Sequence, residues 1–147
     1  MNIYLDNCCF NRPFDDQSSI RIKLETDAKL YIQERIKAQE LELTWSYILE
    51  FENSMNPYKN KRERIQEWKL FAANTVSATP TILSLGHSFQ GQGIKKKDSL
   101  HLACAIEGHC DYFLTTDDKL LNKRQGITQI QIISPVEFVI TILEKHS

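Results

Sequence analysis

The chain has 147 residues, 41% of them hydrophobic and 25% charged, with five glycines, four prolines and a formal net charge of −1. This profile fits one folded globular domain spanning 1–147, and it excludes a disordered chain or a generally basic nucleic-acid binder, while leaving local basic patches open. No apolar run reaches the roughly 20 residues needed to span a bilayer, and Met1-Asn-Ile-Tyr-Leu-Asp6 lacks a basic leader region, so a cytoplasmic protein with no membrane partner is expected.

Residues 2 to 6 read as a short strand, followed by a turn-rich loop over 7 to 16. Ser18 or Ser19 caps a helix to about Ala38, whose apolar positions Ile20, Leu24, Ala28, Tyr31, Ile32 and Ile36 recur at threes and fours. Leu41 to Trp45 reads as a second strand, and Ser46 as the N-cap of a helix from Tyr47 to Met55 that Asn56-Pro57 ends. A helix over 59 to 73 offers Ile65, Trp68, Leu70 and Phe71 to the core. Its basic first turn, Lys59 to Arg64, stands at the end that the helix dipole disfavours for cations.

Residues 75 to 94 are the least regular: a short extended piece, a helix over Thr81 to Phe89, and Gly86, Gly91 and Gly93 marking a mobile rim. A helix from Lys97 to about Gly108, a strand over 112 to 115, a helical turn from Asp118 to Asn122, a strand over 130 to 133 and a helix from Pro135 to Lys145 complete the chain. Strands alternating with helices predict an α/β fold, a three-layer α/β/α sandwich around a parallel sheet of four to five strands. Cys8, Cys9, Cys104 and Cys110 form no Cys-x-x-Cys pair, so neither a disulfide framework nor a zinc finger is expected, and Cys104 reads as a small buried hydrophobe. A Gly-rich phosphate loop is absent as well.

Acidic residues mark the ends of these elements. Asp6 and Asp117 follow apolar strands, Asp98 opens a helix, and Glu52 lies early in the helix after the second strand. A parallel sheet brings all its carboxyl-terminal strand ends, and the helix starts that follow them, to one edge. A lone Asp at a helix start is ordinarily a cap; four acids converging from distant segments repel one another and call for a divalent cation with hard oxygen ligands.

Leu5-Asp6, the Ser46-to-Glu52 spacing, Asp98-x-x-His-Leu-Ala-x-Ala105, Leu114-Thr-Thr-Asp117-x-x-Leu120 and Ile133-Ser-Pro-Val-Glu-Phe138 together resemble the PIN-domain family, and in size the VapC-type ribonuclease toxins. The resemblance implies a divalent-metal-dependent endoribonuclease acting on single-stranded RNA. Asp6, Asp98 and Asp117 would hold Mg²⁺ or Mn²⁺, Glu52 would complete the catalytic acids, and Thr115 or Thr116 would contact phosphate or water. It further implies an antitoxin protein and a homodimer.

The chain departs from the family pattern at two places. Where the family commonly has Ser, Thr or Asn two places after the first aspartate, this chain has Cys8, so the polar helper is Asn7 or absent. Glu50 competes with Glu52, because a helix cannot aim residues two apart at one point; the spacing to Ser46 favours Glu52. Asp118 serves a second metal through water or caps its turn. Lys95, Lys96 and Lys97, with the cluster at 59 to 64, are candidate phosphate contacts, and Phe10, Phe14 and Tyr58 stack bases or pack as rim and core. The rival readings are a catalytically inactive binding module of the same fold and a structure-specific DNA nuclease.

Overall fold

The computed structural model describes residues 1–144. Five parallel strands, β1 (Asn2–Leu5), β2 (Glu42–Ser46), β3 (Asn74–Val76), β4 (Tyr112–Leu114) and β5 (Gln131–Ile133), form one sheet in the order β3-β2-β1-β4-β5. The first strand is therefore the middle one. Tyr4 and Leu5 pair with Phe113 and Leu114 of β4, and Ile3 also pairs with Leu43 of β2. Buried on both faces, β1 reads as a near-continuous apolar run, as parallel strands do. Helices cover the sheet, giving the predicted α/β/α sandwich.

Helix starts follow side-chain chemistry. Ser19, Ser46, Thr79 and Ser134 each accept a bond from the backbone N–H three residues on, starting α2 (Ile20–Lys37), α3 (Tyr47–Ser54), α5 (Pro80–Gly91) and α8 (Pro135–Phe138). The last helix continues in a wider turn over Val139–Leu143; the predicted end at Lys145 lies outside the described residues.

Four expectations need correction. The loop after β1 is helical: α1 (Asn7–Asn11) starts at once, capped by Asp6, and runs into a 3₁₀ turn over Arg12–Phe14. In α2, Ile20 is 80% exposed and Leu24 and Tyr31 face outward too, while Glu25, Lys29 and Gln33 are buried beside Ala28, Ile32 and Ile36. The helix expected over 59 to 73 is α4 (Lys59–Gln66) followed by a 3₁₀ turn, Glu67–Phe71, so that Ile65 is buried but Leu70 projects into solvent. The glycine-bearing segment is no mobile rim: α5 packs along α6 (Lys96–Glu107), and a Cβ on Gly86 would stand 3.2 Å from Leu100 Cδ2. Glycine is there because the two helices come close.

Gly108, the cap of α6, is tighter still, since an added Cβ would meet Thr44 Cγ2 at 2.9 Å and the Cys104 carbonyl at 3.2 Å. Gly108→Ala is therefore expected to lower the unfolding free energy by about 1–3 kcal/mol, the usual cost of overpacking. Urea denaturation measures this, and a variant as stable as the parent would mean that α6 does not seat on β2 and β3 as described.

Candidate functional site

Asp6, Asn7, Cys8, Glu52, Lys95, Lys96, Lys97, Asp98 and Asp117 line one cleft of about 470 Å³. Each acid arrives by its own route. Asp6 follows the central strand and caps α1; Glu52 is carried on α3; Asp98 sits in the first turn of α6; Asp117 follows β4 and caps α7 (Asp118–Leu121). The carboxyl-terminal edge of the sheet and the adjoining helices thus supply four carboxylates from segments far apart in sequence.

Asp6 is nearly buried yet well solvated by protein donors. Its Oδ1 accepts from Asn7 N at 2.8 Å, and its Oδ2 from Thr115 Oγ1 at 2.9 Å, with Cys8 Sγ 3.5 Å away. The Thr115 hydroxyl also accepts from Asp117 N at 3.1 Å, so one side chain ties the first and last acids together. Thr115 and Thr116 were candidates for substrate contact, but both are buried and neither lines the cleft. Thr115 is committed to the Asp6 carboxylate and the Asp117 backbone N–H, and Thr116 donates its backbone N–H to Cys8 Sγ. Cys8 fills the place of the polar helper, and Asn7 lines the cleft beside it.

The two candidate glutamates separate cleanly. Glu50 turns away and accepts from Gln66 and from Lys69, the latter at 3.0 Å. Glu52 faces the cleft and meets His101 Nε2 through Oε1 at 2.6 Å. Asp118 lies outside the cleft lining, held by both terminal nitrogens of Arg21 at 2.7 and 2.8 Å. Phe10 belongs to the core, edge-on to Trp45, rather than to the mouth.

Sequence reasoning gave no role to His101, which is 1% exposed. Its Nε2 also stands 3.8 Å from Asp6 Oδ1, and its Nδ1 is 2.6 Å from the Tyr4 hydroxyl, which in turn lies 2.6 Å from Ser46 Oγ. Burial opposes the charge of His101, but the bond to Glu52 and the charges of Asp6, Glu52 and Asp98 raise its pKa overall. Burial likewise pushes Glu52 up, and His101, with Lys97 and Asn7, overcomes it and holds the carboxyl low. Both directions favour a charged pair. Nδ1–H then donates to Tyr4, and Tyr4 donates to Ser46, which also caps α3. A histidine set between Leu100 and Leu102 was the signal within the sequence: a polar ring on an apolar helix face needs partners.

Burial pushes the Asp98 carboxyl up to about 6, and the charges of Asp6 and Asp117 push the same way. His101 and Lys95 oppose that rise without cancelling it, and the oxygen donors of the acids suit a hard divalent cation in kind and in charge. Among the described residues no three His, Cys, Asp or Glu side chains are gathered closely enough to hold an ion; the acids line an open cleft.

No protein-family model and no curated protein matches this sequence. Solved structures do match. VapBC-1 from nontypeable Haemophilus influenzae is similar at a TM-score of 0.57 and 18% identity, over 92% of this chain and 98% of that one. VapBC2 from Rickettsia felis, solved bound to a DNA fragment from its promoter, is similar at a TM-score of 0.55 and 13% identity, over 91% and 98% of the two chains. With the sheet order and the flanking helices, these similarities show that the chain has the VapC-type PIN-domain fold.

Proposed function

We propose that the protein is a divalent-metal-dependent endoribonuclease that cleaves single-stranded RNA, and that it is the toxin of a toxin–antitoxin pair. The observation that carries this reading is the convergence of Asp6, Glu52, Asp98 and Asp117 on one cleft with Lys95, Lys96 and Lys97 at its margin. Asp6, Asp98 and Asp117 would hold Mg²⁺ or Mn²⁺. Such an ion supplies Lewis acidity and an acidified water for attack on a phosphodiester. Thr115 keeps Asp6 and Asp117 oriented, His101 keeps Glu52 ionised and aimed into the cleft, and the lysines attract the phosphates on either side of the scissile bond.

The similar solved structures are of VapBC proteins, which supports an antitoxin partner for this chain; a homodimer and a cytoplasmic setting complete the proposal from the family resemblance. The outward stripe of Ile20, Leu24 and Tyr31 on α2 supports a protein partner, because solvent-facing apolar stripes are unusual on isolated chains. None of the described helices is long and apolar enough to cross a membrane.

The test uses one labelled oligonucleotide sequence as single-stranded RNA, single-stranded DNA and duplex, each with Mn²⁺, Mg²⁺ or a chelator. Cleavage confined to RNA with metal is the expected outcome; none under any condition would favour the inactive binding module, and cleavage of DNA alone the rival nuclease.

Replacing Lys95, Lys96 and Lys97 together by Ala is expected to weaken RNA binding strongly at low salt and little at high salt. Every phosphate deprived of its lysine should flatten the log–log salt dependence by roughly 0.7 for a single strand. Binding isotherms at two salt concentrations measure this, and an unchanged slope would make the lysines ordinary surface residues and shift the expectation to Lys59, Lys61, Arg62 and Arg64.

A further inference from the structure

A larger cavity, of about 600 Å³, lies between α2, α4 and the two 3₁₀ turns, beyond α1 from the acidic cleft. Helix α1 is only five residues, about 7.5 Å, long. Its start gives Asn7 and Cys8 to the cleft, and its other end gives Phe10 to the cavity.

The cavity combines aromatic surface with cations. Lys29 is 2% exposed, and its ammonium lies 5.1 Å from the centre of the Phe10 ring and 5.4 Å from that of Trp68. In the amide orientation that satisfies both neighbours, the Gln33 oxygen accepts from Lys29 Nζ and, at 2.9 Å, from Trp68 Nε1. No carboxylate stands within ion-pair distance of Lys29 among the described residues: the nearby buried acid, Glu25, is taken by Arg12 and Arg21. Burial accordingly pushes the ammonium down to about 7.

Arg64 also lines the cavity without an ion pair among the described residues, and Lys37 lies over the Trp68 and Phe71 rings with only a distant acid, Glu34, at 3.9 Å. Glu67 is the one acid in the lining. A buried ammonium without a counter-charge gains from an anion beside it, and Lys37 and Arg64 add positive charge to the same lining, so the cavity is complementary to an anion. Ring faces beside such cations are the surface on which a nucleobase stacks while its phosphate is neutralised. The volume is within the ordinary range for a bound small molecule.

We propose that this cavity is a nucleotide-binding subsite for single-stranded RNA, receiving one unpaired base against the Phe14, Trp68 and Phe71 rings and its phosphate among Lys29, Lys37 and Arg64. The proposal takes its ligand from the RNA reading above but not its chemistry, because the cavity contains none of the cleft acids. A strand lying across α1 would be held at the cavity while its neighbouring phosphates reach the cleft. The cavity would then select for exposed bases, since a nucleotide in a duplex cannot offer both faces.

The test needs neither metal nor cleavage. The chain has two tryptophans, of which Trp45 is fully buried in the core and Trp68 lines the cavity, so tryptophan emission reports on the subsite. Adenosine and uridine 5′-monophosphates are titrated in the presence of a chelator. Saturable quenching is expected in the parent protein, absent in Trp68→Phe and at least fivefold weaker in affinity in Lys37→Ala/Arg64→Ala and in Lys29→Met. Adenosine lacking its phosphate should bind at least fivefold more weakly than the monophosphate. Should Lys29→Met fail to fold, the double variant at the rim decides the matter.

No quenching by nucleotides, affinity unaltered in the double variant, or quenching by an acidic aromatic peptide in place of nucleotides would each overturn the proposal. RNA cleavage without nucleotide quenching would sink the subsite and leave the nuclease standing; quenching without cleavage would do the reverse.

Discussion

Asp98→Asn is expected to abolish divalent-dependent cleavage, by at least about 10²-fold, and at the same time to stabilise the metal-free protein. Both effects have one source. Burial, with Asp6 and Asp117 nearby, raises the Asp98 carboxyl to about 6, above its ordinary 3.8. The folded protein then binds that proton more tightly than the unfolded chain does. Ionised Asp98 therefore costs stability at neutral pH, and the cost disappears as the pH falls through about 6 towards 4. For a half-buried group, solvent screening reduces it to about 1–2 kcal/mol. Denaturation of the metal-free parent should thus show higher stability at pH 5 than at pH 7.5, and Asp98→Asn should lack most of that slope. Calorimetric titration with Mn²⁺ is the companion measurement; unchanged ion affinity in the variant would remove Asp98 from the ligand set.

Glu52→Gln is expected to reduce cleavage by about 10²-fold, whereas Glu50→Gln stays within about twofold of the parent. Glu50 is on the far side of α3, paired with Lys69 and Gln66, and its exposed ion pair contributes little. Glu52 is the counter-charge of His101, so its amide variant should also lose about 1–3 kcal/mol of stability as the buried imidazole loses its charged partner. Equal activity loss in both variants would mean that α3 presents a different face to the cleft. The proton on His101 offers a second readout: its imidazole resonances should titrate at lower pH in Glu52→Gln, because a partner that favours the cation has gone.

The strands, the capped helices and three of the acids were legible because each has a local signature: apolar runs of strand length, Ser or Thr three residues before an N–H it caps, Asp6 and Asp117 just beyond apolar runs, and Asp98 at a helix start; Glu52 was chosen over Glu50 by its spacing to Ser46. The inward face of α2 was not. A period of 3.6 announces a helix without saying which stripe turns inward, and Glu25, Lys29 and Gln33 go inside because arginines, aromatic rings and an indole N–H receive them. The helix after Asp6 was hidden by Asn, Pro and Asp, whose turn chemistry also suits the short helical turns that form there. His101 escaped assignment, and Thr115 was expected at the substrate rather than on Asp6, for a different reason. Their partners Asp6, Glu52 and Tyr4 are between 49 and 109 residues away in the chain, and no local pattern records a bond across that distance.

The central place of β1 sets the order in which the site can assemble during synthesis. The Asp6 N–H is bonded to the Leu114 carbonyl at 2.9 Å, and the fixing hydroxyl of Asp6 comes from Thr115. At roughly 5–20 residues per second, a ribosome makes the first carboxylate long before the residues that hold it in place. Until β4 emerges and inserts beside β1, Asp6 lacks Thr115 and the cleft lacks Asp117. A product truncated anywhere before residue 117 therefore has at most three of the four acids and no fastening between the first and last.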